Sequence, residues 1–226
     1  MKNTNISRRS FLAGTAAAIA LPTLIPGSVL GKDGGTAASD RIATGHIGLG
    51  GRGSGHLGGF IARSDAQPVA VCDPYKSRCD KAVARVSQKH KGCKGYQDYR
   101  ELLARDDVDA VVIASPENWH ALQSIHAAQK GKDIYCEKAI SLTVAEGRAM
   151  VKAVRRYGRV LQVGTQQRSD ARFRLACQLA RNGYLGKVHT VKVGVPGGRA
   201  LPIMPAKDAP ADLDYKIWLG PAPWSP

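Results

Sequence analysis

The chain has 226 residues, of which 43% are hydrophobic and 23% charged, with 25 Gly and 12 Pro. This is the composition of a globular protein, and it excludes the fibrous, collagen-like and disordered classes. The length accommodates one to two domains but not two complete large ones. Beyond the N-terminal segment, no apolar run approaches the ~20 residues that cross a bilayer, which excludes a multi-span membrane protein.

The formal net charge is +15. A positive charge of this size indicates nucleic acid, an anionic ligand or a membrane surface as candidate partners. The densest basic stretch, residues 76–94, alternates with apolar residues as one face of a helix does. It contains few aromatic residues on which bases could stack. We therefore expect a solvated helix face and no nucleic-acid partner, while attraction of an anionic ligand stays open.

The cysteines predict neither a metal site nor a disulfide framework. There are five of them, and none has the C-x-x-C spacing of a zinc or redox centre. Cys72 and Cys136 lie at the ends of apolar runs. We predict that both are small buried hydrophobic residues rather than reactive thiols.

The N-terminus has the pattern of an export signal. Paired Arg8 and Arg9 precede Phe11 and Leu12, and a small-residue apolar segment follows over residues 13–30, as in a twin-arginine signal. Residues 1–39 are therefore predicted as a signal segment, with the translocation machinery as partner and a periplasmic location. A basic arm on a cytoplasmic protein and a retained anchor are the alternatives. This pathway moves folded proteins, so we expect the cofactor to be inserted before export.

From residue 41 onward, short apolar runs alternate with amphipathic segments of helix length, which is typical of βα units around a parallel sheet. The pattern predicts an α/β doubly wound Rossmann domain over residues 40–165. The predicted strands are Ala43–Gly48, Pro68–Cys72, Val108–Ala114, Asp133–Cys136 and Val160–Val163. The predicted helices are Gly53–Arg63, Lys76–Gln88, Asp98–Arg105, Ala121–Lys130 and Val144–Tyr157.

Residues 166–226 are predicted to begin a second domain. A helix is expected over Ala171–Asn182 and a strand over Val188–Val195, followed by a proline-rich tail. One helix and one strand cannot cover a sheet face, so this unit is expected to be incomplete or to be completed by a partner chain.

The motif G-x-G-x-x-G follows the first predicted strand and precedes the first predicted helix. In a dinucleotide-binding turn, Gly48 allows the tight turn and Gly50 lets the backbone approach a pyrophosphate. Gly53 allows the helix to pack closely on the strand. With Gly51 and Arg52 between them, these residues are the predicted phosphate-binding loop at a helix N-terminus.

Asp73 follows the second predicted strand, about 20 residues after the glycine motif, where a carboxylate accepts hydrogen bonds from the adenosine ribose. A helix N-cap is the alternative, and both roles can coexist. A carboxylate there repels a 2′-phosphate, so NAD is the predicted cofactor. Lys76 and Arg78 leave NADP possible, because either could reach a phosphate.

Three further stretches resemble the glucose-fructose oxidoreductase, inositol dehydrogenase and MocA-like family, over about residues 42–226. They are Ala114-Ser115-Pro116-Glu117-Asn118-Trp119-His120, Tyr135-Cys136-Glu137-Lys138-Ala139 and Trp218-Leu219-Gly220-Pro221-Ala222-Pro223-Trp224. The last looks like a stretch common in exported, sugar-related members. The resemblance implies a Rossmann domain followed by a larger α/β domain, whose open sheet covers the nicotinamide and mediates homo-oligomerisation.

The resemblance also implies the roles of individual residues. Ser115, Pro116, Asn118 and His120 would lie in the loop that lines the cofactor. For His120, a positional role is the expectation, with proton transfer as the alternative.

Glu137 and Lys138 correspond to the first two residues of the family's Glu-Lys-Pro motif, and Ala139 stands where the family has proline. Glu137 would contact the cofactor. Lys138 would bind substrate and act catalytically, because an ammonium stabilises the alkoxide that develops on a carbinol oxygen, and burial can tune its acidity. The alternative is a surface ion pair between the two side chains.

Polar residues after the fifth predicted strand are the remaining substrate candidates. In the family, polar groups near the sugar often occupy this position, which implies that Gln166 and Arg168 bind substrate. For Arg168, an ordinary exposed arginine is the alternative. The family's proton-transfer histidine, within Asp-x-x-x-His, has no counterpart after Leu185, and the last histidine is His189.

The expected function is that of an exported nicotinamide-dependent oxidoreductase acting on a sugar or polyol. Since the periplasm offers little free NAD, its cofactor would be held tightly and recycled. One alternative is an NAD-dependent glycosidase that oxidises C3 of the sugar transiently. The other is a cofactor-binding remnant or subunit without turnover, so enzymatic activity itself stays open.

Overall fold

The structure is a computed structural model that describes Gly31 and residues 36–195, 197–198 and 205–224. Two compact units are present, residues 1–41 and residues 42–226. The described part of the first contains a short 3-10 helix, Ala38–Asp40. Most of the predicted signal segment lies outside the described residues.

Helices and strands alternate through the second unit. The strands are β1 (Ile42–Ile47), β2 (Ala66–Cys72), β3 (Lys94–Tyr96), β4 (Ala110–Ile113), β5 (Asp133–Glu137) and β6 (Leu161–Gly164). The helices are α1 (Gly51–Ala62), α2 (Lys76–Ser87), α3 (Tyr99–Leu103), α4 (Glu117–Gln129), α5 (Val144–Arg156), α6 (Ala171–Arg181) and α7 (Tyr215–Leu219), with a 3-10 turn at Gln166–Ser169.

The six strands form one sheet in the order β3-β2-β1-β4-β5-β6, and every neighbouring pair is parallel. The chain reverses its direction of winding between β1 and β4, so the carboxyl ends of these two strands flank a crevice. This confirms the predicted doubly wound α/β fold. The edge strand β3 was missed, because Lys94-Gly95-Tyr96 is short and half exposed and carries no apolar alternation.

Two apolar cores cover the two faces of the sheet. One contains Leu102, Val111 and Trp119, and the other contains Leu57 and Val86. Cys72 and Cys136 are buried in the first core, as predicted, and burial raises the pKa of the Cys136 thiol to about 11. The apolar runs that predicted the strands are therefore the runs that the helices cover on both sides.

Two element predictions are wrong. Helix α4 begins at Glu117, not at Ala121, because Pro116 occupies the N-cap position and Glu117 is a favourable residue in the first helical turn. Residues 188–195 are exposed and form no strand, since no described segment pairs with them. A strand needs a hydrogen-bonded neighbour, which periodicity alone does not supply.

Within the described ranges, no helix is both long and apolar enough to span a membrane. The same residues contain no group of three or more His, Cys, Asp or Glu side chains that could hold a metal ion.

Candidate cofactor site

The turn between β1 and α1 needs glycine at two positions. Gly48 has φ +85°, and a Cβ there would lie 2.5 Å from the backbone nitrogen of Ser115. A Cβ on Gly53 would lie 1.8 Å from the carbonyl oxygen of Gly48. Gly48 therefore permits the turn and its approach to the β4 loop, and Gly53 permits α1 to pack against the turn.

The other glycines of the motif face open space. A Cβ on Gly50 would have Arg78 as its nearest neighbour at 3.9 Å, and one on Gly51 would meet nothing within 4 Å. Helix α1 begins at Gly51, so its unpaired N–H groups point to the same region. The turn therefore has the space and the donors that a pyrophosphate requires.

Asp73 follows β2 directly and is almost fully buried, with 2% of its surface exposed. Its Oδ2 accepts from the Leu49 N–H at 2.7 Å and its Oδ1 from the Tyr75 N–H at 3.0 Å. The predicted alternative, a helix N-cap, is wrong: Tyr75 is the N-cap of α2, and Asp73 lies too early in the chain. Each carboxylate oxygen retains capacity for a further donor, as a ribose hydroxyl requires.

A cavity of about 300 Å³ lies over the carboxyl ends of the central strands. Seven of the predicted cofactor-binding residues line it, namely Gly48, Gly50, Gly51, Arg52, Asp73, Ser115 and Pro116. Ile217 and Trp218 of α7 line it too, although sequence reasoning gave them no role at the cofactor. The Trp-Leu-Gly-Pro stretch could have indicated that these residues have a function. The sequence around it, however, does not show which surface of the protein it contacts.

Asn118 and His120 were predicted to lie in a loop that lines the cofactor, but both belong to the first turn of α4. The amide of Asn118 donates to the carbonyl oxygen of Leu219 at 3.0 Å. His120 is buried, with Nδ1 2.6 Å from the Ala139 oxygen and Nε2 2.8 Å from the Ser115 oxygen. His120 therefore lies in contact with the loops after β4 and β5 through its two ring nitrogens, which agrees with a positional role.

Glu137 ends β5 with its side chain only 5% exposed. Its Oε1 lies 2.7 Å from His56 Nε2 and 3.2 Å from Arg52 Nε. Burial opposes ionisation, but the hydrogen bond from His56 and the charge of Arg52 outweigh it, and the pKa of Glu137 lies below its usual value. The alternative of a surface Glu137–Lys138 pair is therefore wrong, since Glu137 is directed inward towards α1.

The sequence model of the Gfo/Idh/MocA family, described as an oxidoreductase family with an NAD-binding Rossmann fold, matches residues 42–165. The chain belongs to the Gfo/Idh/MocA family. This matched region contains the whole sheet and the glycine turn.

Known relatives of the Gfo/Idh/MocA family agree with this assignment. An uncharacterized oxidoreductase, YrbE, of Bacillus subtilis is 33% identical over 68% of this chain and 44% of its own length. An alpha-N-acetylgalactosaminidase of Shewanella oneidensis is 37% identical over 46% of this chain and 24% of its own. The chain thus spans less than half the length of either relative.

Two solved dehydrogenase structures have the same fold as this region. A myo-inositol 2-dehydrogenase from Lactobacillus plantarum is 25% identical, with a TM-score of 0.61 over 66% of this chain and 43% of that one. A scyllo-inositol dehydrogenase from Lactobacillus casei, solved with NAD(H) and scyllo-inositol bound, is 26% identical, with a TM-score of 0.59 over 65% and 42% of the two chains.

The three predicted substrate-binding residues, Lys138, Gln166 and Arg168, lie at the same edge of the sheet but do not line the cavity. Glu137 of β5 is in register with Gly164 of β6, so Lys138 and the 3-10 turn that carries Gln166 and Arg168 follow adjacent strand ends. All three side chains are exposed. Lys138 is therefore not buried among the described residues, because no described segment covers this edge.

Proposed function

We propose that this chain is the cofactor-binding part of an NAD-dependent oxidoreductase that transfers a hydride between NAD and a sugar or polyol. The observation that supports it is the cavity in which the glycine turn, the buried Asp73 carboxylate and the Ser115-Pro116 loop meet. The family assignment and the inositol dehydrogenase neighbours agree with both the cofactor and the substrate class.

Individual residues of this chain would bind the cofactor and the substrate. The amides around Gly50 and Gly51 would hold the pyrophosphate, and Asp73 would accept hydrogen bonds from the adenosine ribose. When bound, the nicotinamide supplies the hydride acceptor or donor. The ammonium of Lys138 would stabilise negative charge on the substrate oxygen while the carbon changes oxidation state. Gln166 and Arg168 would hold other hydroxyls of the sugar.

Asp73 favours NAD over NADP, since a buried carboxylate beside the ribose repels a 2′-phosphate. Arg78 Nη1 lies 3.6 Å from Asp73 Oδ2, so part of that negative charge is compensated. Asp73→Ala is expected to weaken NAD more than NADP, and Gly50→Val to weaken both by blocking the pyrophosphate. Equilibrium titrations that found both variants unchanged would contradict the cofactor site.

The first experiment is thermal unfolding of the chain alone and with saturating NAD, NADH, NADP or NADPH. At 100 times its dissociation constant, a cofactor adds about 2.7 kcal/mol, which is a shift of several degrees. We expect NAD and NADH to raise the midpoint most. A sugar and polyol panel followed by absorbance of NADH then tests turnover. If the chain binds the cofactor but turns over no substrate, the remaining interpretation is a cofactor-binding subunit without activity of its own.

A glycosidase is the second candidate, favoured by the 37% identity to an alpha-N-acetylgalactosaminidase. Oxidation at C3 of the sugar would acidify the C2 proton, which allows elimination of the aglycone from C1. Water would then add across the resulting C1–C2 double bond, and the hydride would return to C3. Release of a chromogenic aglycone without accumulation of NADH would select this function. Stoichiometric NADH would select the oxidoreductase.

We further propose export through the twin-arginine pathway and homo-oligomerisation through a complete second domain. The export proposal rests on Arg8-Arg9 and the apolar residues after them. Replacing both arginines by lysine is expected to keep the protein in the cytoplasm on cell fractionation. Periplasmic recovery of the doubly substituted chain would contradict it.

A further inference from the structure

The chain returns to the sheet in its last described segment, residues 205–224, which we call the strap. Its first attachment is to the start of α2 and the loop before it. The Lys76 N–H donates to the Asp212 oxygen at 2.9 Å, and the Asp214 N–H donates to the Pro74 oxygen at 3.0 Å. The Ser77 hydroxyl adds a bond to the Asp212 carboxylate. The strap is thus fixed beside Asp73.

The second attachment is to the start of α4. The Asn118 amide donates to the Leu219 oxygen at 3.0 Å, and the Trp119 indole N–H donates to the Trp218 oxygen at 3.2 Å. Gly220 has φ +57°, and a Cβ there would lie 2.2 Å from the Trp119 ring. Only glycine permits this approach, so α7 is held between two fixed points on either side of the cavity.

Between the two attachments, the side chains of Ile217 and Trp218 form one wall of the cavity. The glycine turn and Asp73 line the same cavity, and so does Pro74, to which the strap is bonded. The Trp218 ring stacks on that of Tyr215, with the ring centroids 5.8 Å apart, and Trp218 remains 41% exposed where it lines the cavity. An aromatic and an aliphatic surface beside a ribose-binding carboxylate match the flat ring of a purine base.

We propose that the strap is an adenosine clamp, in which Ile217 and Trp218 form the surface on which the adenine of the cofactor packs. This inference rests on the proposed NAD site. Because the strap is bonded on both sides of the cavity, the adenosine half leaves only when the wall moves or the base slides out past Trp218. The clamp therefore retains the cofactor, as a protein working where free NAD is scarce requires.

The test uses Trp218→Ala in the full chain, with Trp224→Ala as the matched control. Trp224 belongs to the same strap and is 73% exposed; it lines a neighbouring hollow, which Trp218 also lines, but it does not line the cavity. The bond from Trp119 goes to the backbone oxygen of residue 218, so the substitution leaves both attachments in place. Trp218→Phe retains a ring and is the conservative variant.

Calorimetric titration with NAD, AMP and nicotinamide mononucleotide separates the two halves of the cofactor. We expect Trp218→Ala to weaken NAD and AMP alike, by about tenfold, to leave nicotinamide mononucleotide unchanged and to speed NAD release in stopped-flow displacement. Trp224→Ala should match wild type, and Trp218→Phe should restore most of the AMP affinity.

Two results would overturn the clamp. If Trp218→Ala binds AMP as wild type does while wild type binds NAD, the strap is only structural and the proposed function stands. A wild-type chain that binds neither NAD nor AMP would overturn the proposed function and the clamp together. Should Trp218→Ala fail to fold, Ile217→Ala applies the same criterion, because Ile217 lines the same wall.

Discussion

Gly53 and Gly55 lie two residues apart in α1, but a side chain would meet different surroundings at each. A Cβ on Gly53 would lie 1.8 Å from a backbone oxygen, whereas one on Gly55 would meet nothing within 4 Å. Gly53→Ala is expected to lower the free energy of unfolding by about 1–3 kcal/mol, because the turn must shift. Gly55→Ala is expected to raise it by about 0.5–1 kcal/mol. Urea unfolding measures both, and equal effects would contradict this geometry.

His46 predicts a pH dependence of stability. It is buried in β1 with its edge towards Phe60, and burial, assisted by the charge of His56, lowers its pKa from 6.5 to about 3. The unfolded chain binds this proton below pH 6.5 while the folded chain does not. The contribution of neutral His46 is therefore complete above pH 6.5 and is lost as the pH falls towards 3, with a slope approaching about 1.4 kcal/mol per pH unit.

Replacement of His46 isolates this contribution. Denaturant unfolding between pH 7 and pH 4 should show a shallower loss of stability for His46→Leu than for wild type. The exposed His189 provides the control, and His189→Gln should retain the wild-type slope. If His46→Leu also retained it, another group would be responsible.

At the scale of elements, α5 depends on its first turn. Met150 is its one fully buried residue, and Ala153 and Val154 are partly buried against the first core. The Thr143 hydroxyl accepts from the Glu146 N–H at 3.2 Å, and the Glu146 carboxylate accepts from the Thr143 N–H at 3.1 Å, which forms a capping box.

Thr143→Ala should therefore lower the free energy of unfolding by about 1 kcal/mol. Thr143→Ser, which retains the hydroxyl, should lose much less. Chemical denaturation of the three proteins in parallel checks this. A Ser variant as unstable as the Ala variant would assign the effect to the lost methyl group instead.

The success of sequence reasoning also differs between elements. Strands β1, β2, β4 and β5 were predictable because apolar runs buried on both faces stand out from their flanks. β3 was not, since its three residues are defined by pairing with β2 and not by their own pattern. Likewise, the roles of the motif residues around Gly48 were predictable, because the geometry of a tight turn determines where glycine is needed. The bond from Asn118 to Leu219 spans 101 residues and leaves no local signal.

Across the whole molecule, large apolar side chains are exposed mainly after Gly164. Phe173, Leu175, Val191 and Val193 are between 50% and 81% exposed. Exposed apolar side chains of this size favour association. We expect concentration-dependent self-association in sedimentation velocity, reduced when Val191 and Val193 are replaced by lysine.

The matched control for that measurement is Val144→Lys. Val144 is 84% exposed but lies apart from this segment, at the start of α5. Its substitution should leave sedimentation unchanged. If Val144→Lys reduced self-association as much as the substitutions at Val191 and Val193, the added charge, rather than the loss of this apolar surface, would be the cause of the reduction.

The position of the strap in the chain sets an order of events during synthesis. The sheet is complete once β6 has emerged, whereas the wall formed by Ile217 and Trp218 emerges about 50 residues later. Ribosomes add about 5–20 residues per second, so that interval lasts about 3–10 s. If the strap is the proposed clamp, the adenosine side of the cavity is uncovered for those seconds, and we expect a cofactor to enter the nascent sheet more easily than the finished protein.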